Sequence, residues 1–95
     1  MSALTVDYAI RKYGSPVLIG GKKTRALLRP LRQTRETGEE YWCAAPAGSG
    51  LAPGERLVWG EKHLVALRGD SYFLGGERLY DWAILREEQG AFQSG

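Results

Sequence analysis

Cysteine and histidine are scarce in this 95-residue sequence, which contains one of each, Cys43 and His63. A single cysteine excludes a framework of disulfides within the chain and is typical of a reducing compartment. One cysteine and one histidine also cannot supply the ligands of a structural zinc site. A catalytic pair of the two is arithmetically possible, but no flanking motif supports it. We therefore expect a buried thiol and an ordinary strand histidine.

Long apolar runs are missing as well. No stretch of the sequence approaches the ~18 apolar residues that a membrane-spanning helix needs. Residues 1–7 also lack the basic and apolar regions of a signal peptide. We therefore expect a cytoplasmic protein without a membrane partner.

Signatures of catalysis are absent too. The glycines around residue 50 miss the spacing of a dinucleotide-binding loop, and Gly21-Lys22 lacks the upstream glycine and the following Ser or Thr of a phosphate-binding loop. The acidic pairs Glu39-Glu40 and Glu87-Glu88 lie in polar segments, with no pocket to raise a carboxyl pKa. We therefore predict a protein that is not an enzyme and has no cofactor or metal.

The length and composition predict one small folded domain over residues 1–95. The sequence is 43% hydrophobic and 25% charged, which is ordinary for a folded soluble protein. A domain of this size buries only somewhat more than ~60% of its unfolded surface. Its core is therefore modest, and contacts with neighbours can contribute to its stability.

The basic residues are concentrated in one segment. The net charge is +2, yet residues 11–35 hold eight basic residues and no acid, whereas the rest of the chain has a balance of −6. This asymmetry has three readings: a basic face for nucleic acid, a plus-to-minus arrangement that orients copies in a ring, or a merely solvated surface. The sequence alone leaves all three open.

Glycine pairs and short apolar runs predict three β-hairpins. Val17–Ile19 and Thr24–Arg29 flank Gly20-Gly21, and Pro30 is expected to end the second of these strands. Leu57–Trp59 and Lys62–Arg68 flank Gly60-Glu61, which suits a type II′ turn. The third hairpin joins 72–74 to the final strand, 79–85, through Gly75-Gly76, so residues 57–88 are predicted to form a β-meander.

The N-terminal segment favours a short helix. Val6, Ile10 and Tyr13 share one helical face, Thr5 could cap the start, and Gly14 could end it. The alternation of apolar residues over 4–10 also fits a strand, so both readings stand, with the helix favoured.

Residues 33–56 predict a long central loop. They are polar at first and then rich in glycine, alanine and proline. Loops of this length in small domains are usually functional or order on assembly. Tyr41-Trp42 is the apolar point of this segment and has two readings: an interface anchor that orders on assembly, or the start of a short strand that packs on the core.

The strands 62–68 and 79–86 carry apolar residues on both faces. Tyr80, Trp82 and Ile84 alternate with a second set that contains Leu79, Asp81, Ala83 and Leu85. A sheet with one face in water shows a clean apolar/polar split instead. We therefore expect one face to line a small barrel and the other to meet a helix or another subunit.

Several motifs together resemble the small head–tail connector proteins of tailed bacteriophages and PBSX-type prophages, the head-completion or stopper class. Arg29-Pro30-Leu31 stands where the family pattern has Gln-Pro-Leu, and Tyr80-Asp81-Trp82 begins a finish like the family's Tyr-x-Trp-Ala-Ile-Leu. The segments that carry the resemblance cover most of the chain: 13–17, 26–31, 53–65 and 72–85.

The resemblance implies a mainly β protein, a small β-barrel with a long loop, that forms a homo-oligomeric ring. The implied neighbours are portal or adaptor proteins and a tail-terminator protein, at the head–tail junction of a virion. The implied role is to close or line the DNA exit channel, with at most passive contact with DNA. The residues that we predict at the interfaces are Lys22, Lys23, Arg25, Arg29, Glu39, Glu40, Tyr41 and Trp42.

Two other functions remain open. A nucleic-acid-binding barrel would use Lys22, Lys23, Arg25 and Arg29 on phosphates and Trp42 or Tyr41 against bases. The nearly balanced total charge weakens this alternative. The other is a tail-tube or baseplate component of a phage tail-like particle, which would share the interaction physics but not the portal.

Overall fold

The computed structural model describes residues 2–34 and 38–88. Over these ranges the chain forms one helix and six antiparallel strands, which close a barrel in the order β1-β2-β3-β6-β5-β4. The mainly β small barrel with a short N-terminal helix is thereby confirmed. The elements are α1 (Ala3–Tyr13), β1 (Ser15–Ile19), β2 (Lys22–Thr34), β3 (Gly38–Pro46), β4 (Arg56–Trp59), β5 (Lys62–Leu74) and β6 (Glu77–Glu87).

Glycines form the three predicted hairpin turns. Gly20-Gly21 joins β1 to β2, Gly60-Glu61 joins β4 to β5, and Gly75-Gly76 joins β5 to β6. Gly60 has a φ of 62°, and no described residue other than glycine has a positive φ. Positive φ at only the first loop position is what a type II′ turn requires. The sequence located these turns correctly.

Strand β2 does not end at Pro30, contrary to the prediction, but continues to Thr34. Its first half pairs with β1, through Ala26, whereas its second half pairs with β3 alone. At Pro30 the strand therefore has an unpaired edge, where a residue without an N–H is tolerated. The register with β3 shifts between Pro30 and Arg32, so the ladder accommodates the proline with a β-bulge.

Strand β3 corrects the predicted boundaries of the central loop. It occupies Gly38–Pro46 and pairs with β2 on one side and β6 on the other. Tyr41-Trp42 lies within this strand, which packs on the core, as the second of the two predictions for this pair has it. Residues 47–55 are left as the irregular loop, and its ordering on assembly stays a prediction. Residues 35–37 lie outside the described ranges.

The core is built from alternate residues of the strands. Tyr41, Cys43 and Ala45 of β3 point into the barrel, where Leu57, Leu64, Ala83 and Leu85 are fully buried. The Tyr41 ring packs edge-on against Trp59, with 5.6 Å between the ring centroids. Edge-to-face aromatic pairs of this kind add to the stabilisation from burial. The barrel interior is therefore filled by side chains.

Helix α1 packs on the outer side of β2, β3 and β6. Ser2 caps it by accepting a hydrogen bond from the Thr5 backbone N–H, so the cap lies three residues before the predicted one. Ile10 is buried, whereas Tyr13, expected on the same face, is 69% exposed. The outer faces of β3 and β6 thus contact a helix. For the final strand, this confirms the prediction that its second face meets a helix or another subunit.

Gly14, the residue after α1, lies where a side chain would not fit. Its φ of −79° is open to other residues. A Cβ atom at this position would lie 2.8 Å from the Ala26 carbonyl oxygen and closer still to that of Ile10. The glycine therefore allows the helix to turn closely against β2.

A buried carboxylate fixes the loop to the barrel. Asp81, 3% exposed, accepts hydrogen bonds from the backbone N–H groups of Gly48 and Ser49 and from the hydroxyl of Ser71. It also forms an ion pair with Arg78, at 2.9 Å. The carboxylate thus joins the loop to both strands of the β5–β6 hairpin.

Replacement of Asp81 by Asn should destabilise the protein by about 2 to 4 kcal/mol, because the amide loses the ion pair and turns an N–H group toward donors. Chemical denaturation of the purified variant measures this loss. Asp70→Asn is the matched control, since Asp70 is exposed, and it should change stability by less than about 0.5 kcal/mol. Equal stabilities of the two variants would contradict the anchoring role.

Candidate interaction site

The predicted cationic interface residues lie along β2. Lys22, Lys23, Arg25 and Arg29 are all exposed. The Arg25 guanidinium donates to the Gly14 carbonyl oxygen, so it also holds the end of α1 against the strand. Among the described residues, no ion pair includes any of these four cations. Their charge is therefore available to a partner.

The acidic interface residues lie on β3, next to β2. In the ladder, Glu40 faces Arg32 on one side and Arg86 on the other. Glu39 accepts a hydrogen bond from the Tyr41 hydroxyl at 2.8 Å. Glu39 thus has a hydrogen-bond donor of its own chain as a neighbour, and the role of both glutamates at an interface stays a prediction.

Tyr41 is not a surface anchor, which corrects one predicted site residue. Alternation along β3 turns its ring into the barrel, and it is only 2% exposed. Burial raises the pKa of the Tyr41 phenol, and the hydrogen bond with Glu39 raises it further. The residue closes one end of the core.

Trp42 points the opposite way, out of the barrel. It is half-buried, and the Arg29 guanidinium lies over its indole ring, 5.4 Å from the centroid. A cation–π contact of this kind favours a fixed position for the ring. Trp42 is therefore the aromatic residue of the predicted pair that lies at the outer surface.

An apolar groove lies between α1 and the outer barrel wall, with a volume of about 330 Å³ and walls that are almost entirely apolar. The helix contributes one side of the groove, with Thr5, Val6, Ala9 and Ile10. The strands contribute the other side, with Leu27, Trp42, Ala44 and Tyr80. Grooves with such walls accept apolar side chains.

The end of the β5–β6 hairpin, residues 72–78, projects from the barrel, and we call it the hairpin tip. The pairing of β3 with β6 ends at Tyr80, and that of β4 with β5 ends at Val65. The tip is therefore a two-stranded ribbon whose edges are both unpaired. Its apolar side chains are largely exposed: Tyr72 44%, Phe73 55% and Leu74 50%.

Helix α1 exposes a second apolar surface. Leu4 is 83% exposed and Tyr8 62%, one turn apart on the side of the helix that faces away from the barrel. Contiguous exposed apolar patches on soluble proteins mark interaction sites more often than scattered single residues do. The sequence did not predict this surface, because Leu4 and Tyr8 fit alternation as well as a helix.

Cys43 and His63 are not brought together. Cys43 lies inside the barrel, whereas His63 is exposed on β5. Burial raises the pKa of the Cys43 thiol to about 12. Within residues 2–34 and 38–88, no group of three or more His, Cys, Asp or Glu residues could hold a metal ion. The helix of the described ranges has neither the length nor the apolar character to cross a membrane.

The tip and Asp81 are the features that sequence reasoning missed. Tyr72-Phe73-Leu74 directly precedes a glycine pair, so the sequence did place large apolar residues beside a turn. Asp81 is the one charged residue among Leu79, Ala83 and Leu85 on a core face, and that isolation was the available signal. The groove had no sequence signal, because its walls come from four separate elements.

The buried thiol makes stability depend on pH. The folded-state pKa of the Cys43 thiol is raised above its unfolded-state value, which is near 9. The neutral thiol therefore makes its full contribution to the free energy of folding below the unfolded-state pKa, and this contribution is lost as the pH rises toward 12. From about pH 8 to about pH 10, the wild type should lose about 1 kcal/mol of stability relative to Cys43→Ala. Denaturant titrations of both proteins measure this difference, and parallel pH profiles would contradict it.

Comparison of the chain with protein-family models, with curated proteins and with solved structures found no match. The likeness to phage connectors therefore depends on the quoted sequence motifs, and the surfaces described above are independent of it.

Proposed function

We propose that this chain is a structural subunit of a phage-type head–tail connector, which forms a ring between portal or adaptor proteins and the tail. The observation that carries the proposal is the exposure of large apolar side chains at two separate places, the hairpin tip and the outer side of α1. A ring of identical subunits needs two different surfaces that fit each other. The projecting hairpin is one such surface, and the side of the barrel that carries α1 offers a second, different one.

The charge distribution supports the same role. Lys22, Lys23 and Arg29 are exposed cations on β2, while the acidic side chains of the hairpin, Asp70 and Glu77, are exposed at a different place. Opposite charges on separate surfaces steer copies or partners into one orientation. The virion location and the lining of a DNA channel follow from this role and belong to the same proposal.

A nucleic-acid-binding barrel is the second candidate, and the exposed cations Lys22, Lys23 and Arg29 of β2 favour it. Base stacking, which this function also requires, has less support, because Tyr41 lies in the core and Arg29 covers one face of the Trp42 ring. A tail-tube or baseplate subunit remains a third candidate, with the same surfaces but without a portal partner.

Capture on an immobilised portal–adaptor complex of the parent particle separates these candidates. We expect the chain to be retained by that complex and to bind single-stranded DNA weakly. Steep salt dependence, with a loss of about a thousandfold in DNA affinity between 50 and 200 mM salt, would overturn the connector in favour of the nucleic-acid barrel. Retention by tail-tube proteins but not by the portal complex would favour the third candidate.

Charge reversal tests the role of the basic residues in the connector. Lys22→Glu/Lys23→Glu should weaken capture by about tenfold, because exposed charges at an interface mainly affect association. Arg25 stays unchanged, since its guanidinium holds Gly14. Arg68→Glu, an exposed cation on β5, is the control and should be captured normally. Undiminished capture of the double variant would exclude these lysines from the interface.

A further inference from the structure

We infer that the hairpin tip of one copy inserts Leu74 into the groove between α1 and Trp42 of the next copy, with Phe73 on the opposite face of the tip. This inference rests on the proposed function only in that it requires the copies to assemble. It names the contact that joins them, which neither the resemblance nor the ring architecture specifies.

The first step of the argument is that the tip leaves its apolar side chains uncovered. Phe73 and Leu74 lie opposite Arg78 and Glu77 at the end of the ladder, beyond the reach of β3 and β4. Burial of a large apolar side chain stabilises by about 1.5 to 3 kcal/mol, so a partner that covers Leu74 gains substantially.

The second step is that the groove fits such side chains. Val6 and Ala9 form its helical wall, Trp42 and Leu27 form the strand wall, and the volume of about 330 Å³ suits one or two large apolar groups. The contact of Arg29 with the Trp42 ring keeps the aromatic wall in place. The groove is therefore formed before a partner arrives, which lowers the entropic cost of binding.

The third step is that the tip of the same molecule cannot fill the groove. Tyr80 lines the groove and stacks on Tyr72, with 5.2 Å between the ring centroids. From there the ladder continues away to the Leu74–Glu77 pair. The end of the tip is thus held beyond its own groove, and only another molecule can supply Leu74.

Charge complementarity identifies the occupant as a second copy. At the tip, the charge of Arg78 is neutralised by its ion pair with Asp81, which leaves the exposed carboxylate of Glu77. At the groove, Arg29 lies exposed over Trp42 and has no ion-pair partner among the described residues. An acidic tip therefore meets a basic rim. Because tip and groove are different surfaces, the contact repeats head to tail.

Disulfide cross-linking tests the contact directly. Ala9→Cys places a thiol in the groove wall and Leu74→Cys places one in the tip, while Cys43 is buried and stays. After oxidation, a mixture of the two single variants should yield dimers linked between positions 9 and 74. The double variant should yield a ladder of larger species, because each copy then carries both halves of the contact. Leu74→Cys mixed with Glu61→Cys, an exposed position on another turn, should not cross-link.

Each other result has a defined meaning. A bond within one chain, or peptides that link position 74 to a site outside the groove, would overturn the inference. So would protection of the groove thiol by residues 89–95 of the same chain or by DNA, since the groove would then hold a different occupant. Peptide mass spectrometry identifies the linked positions in every case.

Substitution of the tip gives a second readout. Phe73→Ser/Leu74→Ser should weaken self-association by about tenfold or more and leave the thermal midpoint nearly unchanged, because both side chains are exposed. Leu67→Ser, which changes an exposed leucine of β5 away from the tip, is the control. Normal association of the double variant would overturn the inference. If that variant is also captured normally by the portal complex, the proposed function stands without this contact. If the wild type is not captured, the proposed function itself fails.

Discussion

The alternation of side chains along β3 is the constraint on which both the core and the outer surface depend. One set of residues, Tyr41, Cys43 and Ala45, fills the barrel, and the other set, Trp42 and Ala44, faces α1. A shift of the register by one residue would exchange the two sets, since strand side chains alternate with a period of two. Pairing with β2 and β6 on its two sides fixes that register. The groove therefore exists because the barrel closes through β3.

The projection of the hairpin tip results from the unequal lengths of the strands. β5 and β6 are much longer than β1 and β4, so their hairpin continues past the barrel and exposes Phe73 and Leu74. Exposed ribbon edges normally invite uncontrolled pairing. Asp81 holds the base of the hairpin by joining it to the loop with an ion pair and hydrogen bonds. The tip is thus presented in a fixed orientation, as a specific contact between subunits requires.

Local signals in the sequence predicted much of this fold. Two glycine pairs and Gly60-Glu61 located the hairpin turns, and the alternation in 79–86 separated the core and outer faces of β6 correctly. β3 was harder, because its polar start and its Ala- and Pro-containing end resemble a loop, and only pairing on both sides makes it a strand. Pro30 was misread for a related reason, since its tolerance depends on the absence of a neighbour at that edge. The groove was beyond sequence reasoning, because residues from α1, β2, β3 and β6 meet only in the fold.

The central claim is that identical copies join through two different surfaces, the hairpin tip and the groove beside Trp42. An electron-microscopy map of the protein in its assembled particle tests it most directly. The account predicts a ring in which density for Leu74 of each subunit lies between α1 and Trp42 of its neighbour. A ring whose hairpin tips face solvent or the channel, with the groove empty, would contradict it.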